Sequence, residues 1–227
     1  MRIFICGDST AAAYDPSETL IAGWGQFLAD YLPEGIRVMN HAMAGRSTRT
    51  FLEEGRLLRM EPLMQKGDLV LIQFAHNDEG SKPERHTEPW TSYTENLGVF
   101  VSAARNRGAR PVLVTPICIR NWENGELLPS HGEYLAAMRK LAAAESVPLI
   151  DLYAMSSEAV ISLGEEASKA FYMIFPAGFD SRWPDGSADT THTRRPGAEC
   201  YARLAAGELL RQSLVSDSAS IPVQKGV

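Results

Sequence analysis

Ser9 stands in Gly7-Asp8-Ser9-Thr10 directly after an apolar run, and near the far end of the chain Asp189 precedes His192 by three residues. Those residue types can divide the work of moving an acyl group onto water. A serine hydroxyl can carry the acyl group as nucleophile. An imidazole, whose ordinary pKa is about 6.5, can take the hydroxyl proton. A carboxylate at that spacing can reach the Nδ1 side of its own histidine when the segment is a loop entering a helix. The oxyanion that develops needs donors facing it. The candidates are the backbone N–H groups of Ser9 and Gly45 and the side-chain amide of Asn77, which donates without carrying a charge. They work together only if strand ends bring them to one place.

Plainer readings stand beside these. Ser9 alone is a good helix N-cap, Asp8 suits a turn, and Gly45 marks a position of positive φ. Asp189 and His192 could ligate a metal, but no further histidine or carboxylate cluster accompanies them, so neither a metal nor a cofactor is expected. His76, beside Asn77, is either a substrate contact or a structural hydrogen-bonder. His41, His86 and His131 read as surface or loop residues.

The elements that must position these groups are legible as an alternation. Residues 2–6, 36–39, 68–74, 111–115 and 148–152 are short Val/Ile/Leu-rich runs without in-out alternation, the pattern of strands buried on both faces. Between them Tyr93, Leu97, Phe100, Val101 and Ala104 recur at helical spacing, as do Tyr134, Met138, Leu141 and Ala142, and later Leu204, Leu209 and Leu210. Trp24 belongs to an earlier helical pattern and reads as core. The alternation predicts a three-layer α/β/α domain with a mainly parallel sheet. In such sheets ligands bind outside the carboxyl ends of the strands, where Ser9, Gly45 and Asn77 fall. Residues 77–90 and 175–195 read as long loops, and a single domain over residues 1–213 is expected to end in a frayed tail, 214–227.

Composition narrows the classes. A chain of 227 residues buries roughly 70% of its unfolded surface and needs no staples. With 22 Lys and Arg against 28 Asp and Glu, and no basic cluster, the net charge of −6 argues against nucleic acid as a partner. No apolar stretch nears the roughly 20 residues of a membrane span, and the N-terminal apolar run is too short for a secretory signal. The 3 cysteines, Cys6, Cys118 and Cys200, lie far apart, so reduced thiols and a cytoplasmic location are expected.

Taken in order, four blocks resemble the GDSL/SGNH hydrolase superfamily: Gly7-Asp8-Ser9, the glycine at 45, Asn77-Asp78, and Asp189-x-x-His192. Gly7-Asp8-Ser9-Thr10, Gly45-Arg46-Ser47-Thr48-Arg49-Thr50-Phe51 and the run from Gly67 to Asp78 look like its rhamnogalacturonan acetylesterase branch. The resemblance covers roughly residues 1–212. It implies a flavodoxin-like sandwich with a five-stranded parallel sheet. It also implies Ser9 as nucleophile, His192 as base, Asp189 as its partner, and Ser9, Gly45 and Asn77 as the oxyanion hole. Ala75 and Ala44 stand where the family usually has glycine, which predicts shifted loop geometry with the chemistry kept.

The implied substrate is a small acetylated pectic oligosaccharide. Trp90, Trp122 and Trp183 then become candidates to stack on sugar rings, and Arg46, Arg49, Arg120 and Arg182 to offset the chain's negative charge before an acidic substrate. Two rivals remain open: a lysophospholipase or thioesterase of the same superfamily, and a binding module that uses the Gly7-Asp8-Ser9-Thr10 turn as an anion loop at a helix N-terminus.

Overall fold

Strand β1 (Arg2–Gly7) pairs in parallel with β2 (Arg37–Asn40) on one side and β3 (Leu69–Gln73) on the other. β4 (Arg110–Val114) adds to β3, the chain makes a small hairpin of β5 (Trp122–Glu123) and β6 (Glu126–Leu127), and β7 (Leu149–Ile150) completes the sheet on β4. The five parallel strands lie in the order β2-β1-β3-β4-β7, the flavodoxin-like doubly wound arrangement. The structure, a computed structural model, describes residues 1–216.

Successive side chains of a strand point to opposite faces, and here both sets are apolar because helices cover both faces. Phe4, Cys6, Val70, Ile72 and Leu113 point to one layer. There they meet Phe51 of α1 (Thr48–Glu53), Met60 of α2 (Arg56–Met60), Leu97 and Phe100 of α3 (Thr94–Asn106), and Tyr134 and Met138 of α4 (Gly132–Ala144). Ile3, Ile5, Leu69, Leu71, Val112 and Val114 point to the other. They pack on Trp24, Leu28, Val160 of α5 (Leu152–Ser168), and Tyr201 and Leu209 of α6 (Arg195–Arg211). Three layers and all five strands follow the sequence pattern.

Three segments depart from it. After β1 no α-helix forms; Trp24–Gln26 and Leu28–Tyr31 are single 3-10 turns. Gly23 and Gly25 explain this, because they let the segment press onto the backbone of Ala11 and Ala12, closer than any side chain would allow. Trp24 is nonetheless fully buried, and its indole N–H donates to Gln73 Oε1 at 3.0 Å. Second, the later part of the stretch expected as a loop over residues 175–195 is a strand, β9 (Ser187–Thr193), paired antiparallel with β8 (Tyr172–Phe175) and rich in the β-branched threonines that suit a strand. Third, Leu214 and Val215, the first hydrophobic residues of the expected tail, are buried against the α6 layer because the chain turns back there, the Leu214 N–H donating to the Leu209 carbonyl at 2.9 Å. The rest of that tail, from 217 on, lies outside the described residues.

Two glycines give opposite expectations. A Cβ at Gly25 would collide with the Ala11 carbonyl oxygen and stand 2.8 Å from Asn40 Nδ2, whereas one at Gly98, inside α3, meets open space. Gly25→Ala should lose about 1–3 kcal/mol by overpacking. Gly98→Ala should gain roughly 0.5–1 kcal/mol from reduced backbone entropy. Urea unfolding of both variants checks the pair of signs.

Candidate active site

β1 and β3 deliver Ser9 and Asn77 side by side at the carboxyl edge of the sheet, at the point where chain connections leave in opposite directions. The turn that holds Ser9 is built around a buried carboxylate. Asp8 accepts bonds from the Thr10 N–H (2.9 Å), the Thr10 hydroxyl (2.7 Å) and Gln73 Nε2 (3.1 Å). Burial outweighs those bonds and raises its carboxyl above the ordinary range. Asp8 thus shapes the turn, as expected, and the turn does not start a helix, so the reading of Ser9 as a helix N-cap fails. Tyr14 donates to the Ser9 carbonyl at 2.9 Å and closes the turn from outside.

His192 and Asp189 arrive on β9. Against the single step from Met173 to Tyr172 on β8, the partner strand runs from Asp189 to Thr193, so Thr190, Thr191 and His192 are extruded as a wide bulge. The bulge is pinned by the Arg120 N–H donating to the Thr190 carbonyl (2.9 Å) and by the Thr190 hydroxyl on Asn121 Oδ1 (3.1 Å). Asp189 Oδ1 accepts the N–H groups of Thr191 (2.8 Å) and His192 (3.0 Å), while Oδ2 accepts from His192 Nδ1 at 2.7 Å. That bond fixes the tautomer, so Nε2 faces the Ser9 hydroxyl at 3.0 Å as acceptor. Burial pulls the Asp189 carboxyl up, but the bonds from the His192 ring, its N–H and the Thr191 N–H prevail and hold it low. The Asp189 partner raises His192 above its ordinary value, against burial.

The third group comes from the loops after β2 and β3. The Met43 N–H donates to the Gly7 carbonyl at 2.9 Å and ties the β2 loop to the end of β1. Gly45 has φ 78°, the left-handed conformation its type predicts. Asn77 Nδ2 donates one hydrogen to the Arg46 carbonyl (3.1 Å), and its Oδ1 accepts from Arg85 Nη1 (3.2 Å). The two bonds set the orientation of the amide and leave its second N–H for a ligand. Among the described residues the N–H groups of Ser9 and Gly45 likewise have no acceptor. Asp78 locks the arrangement from below. It is fully buried and takes the Thr48 N–H (3.1 Å), the Thr48 hydroxyl (2.5 Å) and the Thr87 hydroxyl (2.9 Å), and burial pushes its carboxyl up to about 7.

With this geometry in view the comparisons are specific. Residues 5–200 match the GDSL-like lipase/acylhydrolase family. The chain belongs to that family. It is 41% identical over 207 residues to the rhamnogalacturonan acetylesterase RhgT of Bacillus subtilis, covering 91% of this chain and 88% of the relative. A second Bacillus subtilis relative, the probable rhamnogalacturonan acetylesterase YesY, is 41% identical over 90% of both chains. Among solved structures, Bacillus subtilis YxiM superposes with a TM-score of 0.80 at 31% identity, over 94% of this chain; the chain spans 57% of that longer protein. The acetylxylan esterase Axe2 of Geobacillus stearothermophilus shares the fold, with a TM-score of 0.66 at 17% identity over 92% of this chain and 93% of that one.

Several residues expected to meet substrate do other work in this family member. Arg120 is buried, donating to Ser168 Oγ (2.9 Å) and the Glu165 carbonyl, because its guanidinium braces the end of α5. Arg46 is ion-paired to Glu54 (3.0 Å) and Arg182 to Asp180 (2.8 Å). Trp90 leans on α4, its indole N–H on Glu133 Oε1 (3.0 Å), away from the Ser9 turn because the wide helical turn Pro89–Tyr93 carries it onto the α3–α4 face. Trp122 packs in the α5–α6 layer from the β5–β6 hairpin. Trp183 sits at the β8–β9 tip, edge-on to Phe175 with ring centroids 6.3 Å apart. The methyl of Ala75 is buried in the α1–α4 layer.

His131 is buried rather than on the surface. Its Nε2 donates to the Ile117 carbonyl and its Nδ1 meets Glu79, both at 2.8 Å, with the residue itself at φ 67°. His76 packs edge-to-face on that ring, centroids 4.5 Å apart, and its nitrogens are buried without a partner among the described residues. Burial and the neighbouring His131 and His192 hold His76 well below its ordinary value, so it is neutral. His76, Glu79 and His131 are the group whose donor atoms could surround a metal, within 4.8 Å of one another, but both His131 nitrogens are already engaged.

Sequence reasoning passed over Asp78 and Arg85. Asp78 followed Asn77 in the matched block without a role, and Arg85 sits in the middle of a loop where nothing in its neighbours marks it. Asp78→Asn would turn an amide donor toward the Thr48 N–H. That mismatch should cost about 1–3 kcal/mol and loosen the Asn77 and Gly45 loops together. Thermal unfolding beside hydrogen exchange of the loop amides measures both effects.

Proposed function

We propose that the protein is a serine esterase that removes O-acetyl groups from carbohydrate, with acetylated rhamnogalacturonan oligosaccharides as its substrate class and a catalytic domain that includes the packed residues Leu214 and Val215. The observation that carries the chemistry is the continuous line of hydrogen bonds from Ser9 through His192 to Asp189. The support for the substrate is the 41% identity, over nearly the whole chain, to two relatives named for that activity.

The steps follow from the groups present. His192 Nε2 takes the Ser9 proton as Oγ attacks the acetyl carbonyl, and the imidazolium formed is held by Asp189. The carbonyl oxygen, now an anion, receives bonds from the Ser9 and Gly45 N–H groups and the second N–H of Asn77. Because the Asn77 amide is already oriented, it need not reorganise as charge appears. Collapse expels the sugar oxygen, which takes the proton from His192. Water, deprotonated by His192, then attacks the acetyl-enzyme, and acetate leaves as Ser9 regains its proton.

The rival binding-module reading loses its premise, since no helix starts at the Gly7-Asp8-Ser9-Thr10 turn to offer a positive end to an anion. No helix among the described residues is long and apolar enough to cross a membrane. A long-acyl ester substrate remains the alternative that an assay separates: release should be fastest from aryl acetate and fall as the acyl chain lengthens.

Ser9→Ala should abolish acetate release while leaving the melting temperature within a few degrees, read by coupled acetate assay and calorimetry. Its pH dependence is also set. The base works only when neutral, and Asp189 raises His192, so kcat/KM should climb with pH through a midpoint above about 6.5. Asp189→Asn removes the largest upward influence. It should move that limb to lower pH and reduce kcat by about 10⁴, as loss of a tautomer-fixing carboxylate does.

A further inference from the structure

Arg85 is placed as no other cation among the described residues is. Its Nη1 donates to Asn77 Oδ1 at 3.2 Å, and its guanidinium lies over Gly45 so closely that a Cβ on that glycine would stand 3.3 Å from Nη2 and 3.4 Å from Cζ. One planar cation therefore borders both loop-borne donors of the site. The loop that carries it is fastened at its two ends. The Arg85 N–H donates to the Lys82 carbonyl (2.9 Å), the Thr87 N–H to the Asp78 carbonyl (3.0 Å), and the Thr87 hydroxyl to the buried Asp78 carboxylate.

The charge of Arg85 is also uncompensated. Among the described residues it forms no ion pair, and of its five guanidinium N–H groups one is used, on Asn77. The other arginines named as candidates hold other partners, Arg49 donating from Nη1 to the Pro83 carbonyl at 3.2 Å. Arg46 pairs with Glu54 and Arg182 with Asp180. Arg194 donates to the carbonyls of Tyr172 and Lys169, and Arg120 is buried. In a chain of net charge −6, a half-buried guanidinium with open donors beside Asn77 and Gly45 has the chemistry to hold an anion.

We propose that Arg85 binds the carboxylate of the uronic acid residue that bears the acetyl ester, and so sets a preference for acidic over neutral acetylated oligosaccharides. This rests on the carbohydrate-esterase reading above. The guanidinium borders the Gly45 and Asn77 donors that would hold the acetyl carbonyl, so a carboxylate on the same sugar ring would be within its reach. Binding there leaves the bond from Nη1 to Asn77 Oδ1 in place, so substrate recognition and amide orientation share one side chain.

The test compares kcat/KM for acetate release from acetylated galacturonate-containing oligosaccharides and from the same oligosaccharides with their carboxylates methyl-esterified. The full chain is used, as wild type, Arg85→Gln and Arg85→Lys. The wild type should favour the free acid by about tenfold or more, chiefly through KM, and added salt should erode the preference. In Arg85→Gln the ratio should fall to about one, with Arg85→Lys recovering part of it. A wild-type ratio of one or below overturns the proposal without any variant. So does a ratio that Arg85→Gln leaves unchanged, or an Arg85→Gln loss equal on both substrates, which would make Arg85 a positioning residue for Asn77 only. If the wild type hydrolyses aryl acetate but releases nothing from either oligosaccharide, the carbohydrate reading itself fails and takes this proposal with it.

Discussion

A carboxylate buried at 0% exposure must be surrounded by donors, and at Asp78 that requirement organises one side of the active site. Its oxygens collect the Thr48 N–H at the start of α1, the Thr48 hydroxyl, and the Thr87 hydroxyl from the far end of the loop that follows β3. Three segments distant in sequence are thereby held at one point. The loop before α1 carries Gly45, the residue before Asp78 is Asn77, and the loop closed by Thr87 returns Arg85 over both. Asn96 of α3 adds a bond to the Thr48 hydroxyl at 3.0 Å, which extends the network into the helical layer.

Asp8 is the counterpart at the other side. It too is fully buried, and it is satisfied by Thr10 and Gln73, so that the Ser9 turn is shaped from within the sheet. The site is thus supported by two buried acids that touch no substrate in the proposed mechanism. Their like charges also oppose one another, and Asp8 contributes to the rise of the Asp78 carboxyl. Such a foundation is rigid, because removing any donor leaves a buried charge uncompensated. The Asp189–His192 bulge, by contrast, rests on an antiparallel ribbon outside the main sheet and is about a third exposed. Ser9, Gly45 and Asn77 are fixed by the core, while His192 is carried by a lighter element.

The acidity of the chain made an acidic substrate hard to reconcile with the sequence. Of the arginines that sequence position made attractive, Arg46 and Arg182 are ion-paired and Arg120 is buried, while Arg49 is directed to the Pro83 carbonyl at 3.2 Å. Net charge governs the field at a distance, whereas a ligand in a crevice meets the groups that line it. One unpaired guanidinium at the right place can therefore outweigh a surplus of carboxylates spread over the surface.

The five strands, the three layers and the helices α3, α4 and α6 were legible because buried parallel strands and amphipathic helices write themselves as local periodicity. Ser9, Asp189, His192, Gly45 and Asn77 were legible by residue type and because the order of their four blocks resembles the GDSL/SGNH superfamily, and the fold brings them to one edge. Local pattern did not reveal that the segment after β1 would be 3-10 turns, since that depends on how closely Gly23 and Gly25 approach a distant stretch of backbone. Nor did it reveal the β8–β9 ribbon, whose bulge depends on pairing with another strand and on the loop after β4. The roles of Asp78, His131 and Arg85 were hidden for the same reason. Sequence alone determined the architecture and the chemical groups available. Tertiary structure decided which charges are buried, which are paired, and that Arg85 stands unpaired beside Asn77 and Gly45, because burial and pairing are set by neighbours in space.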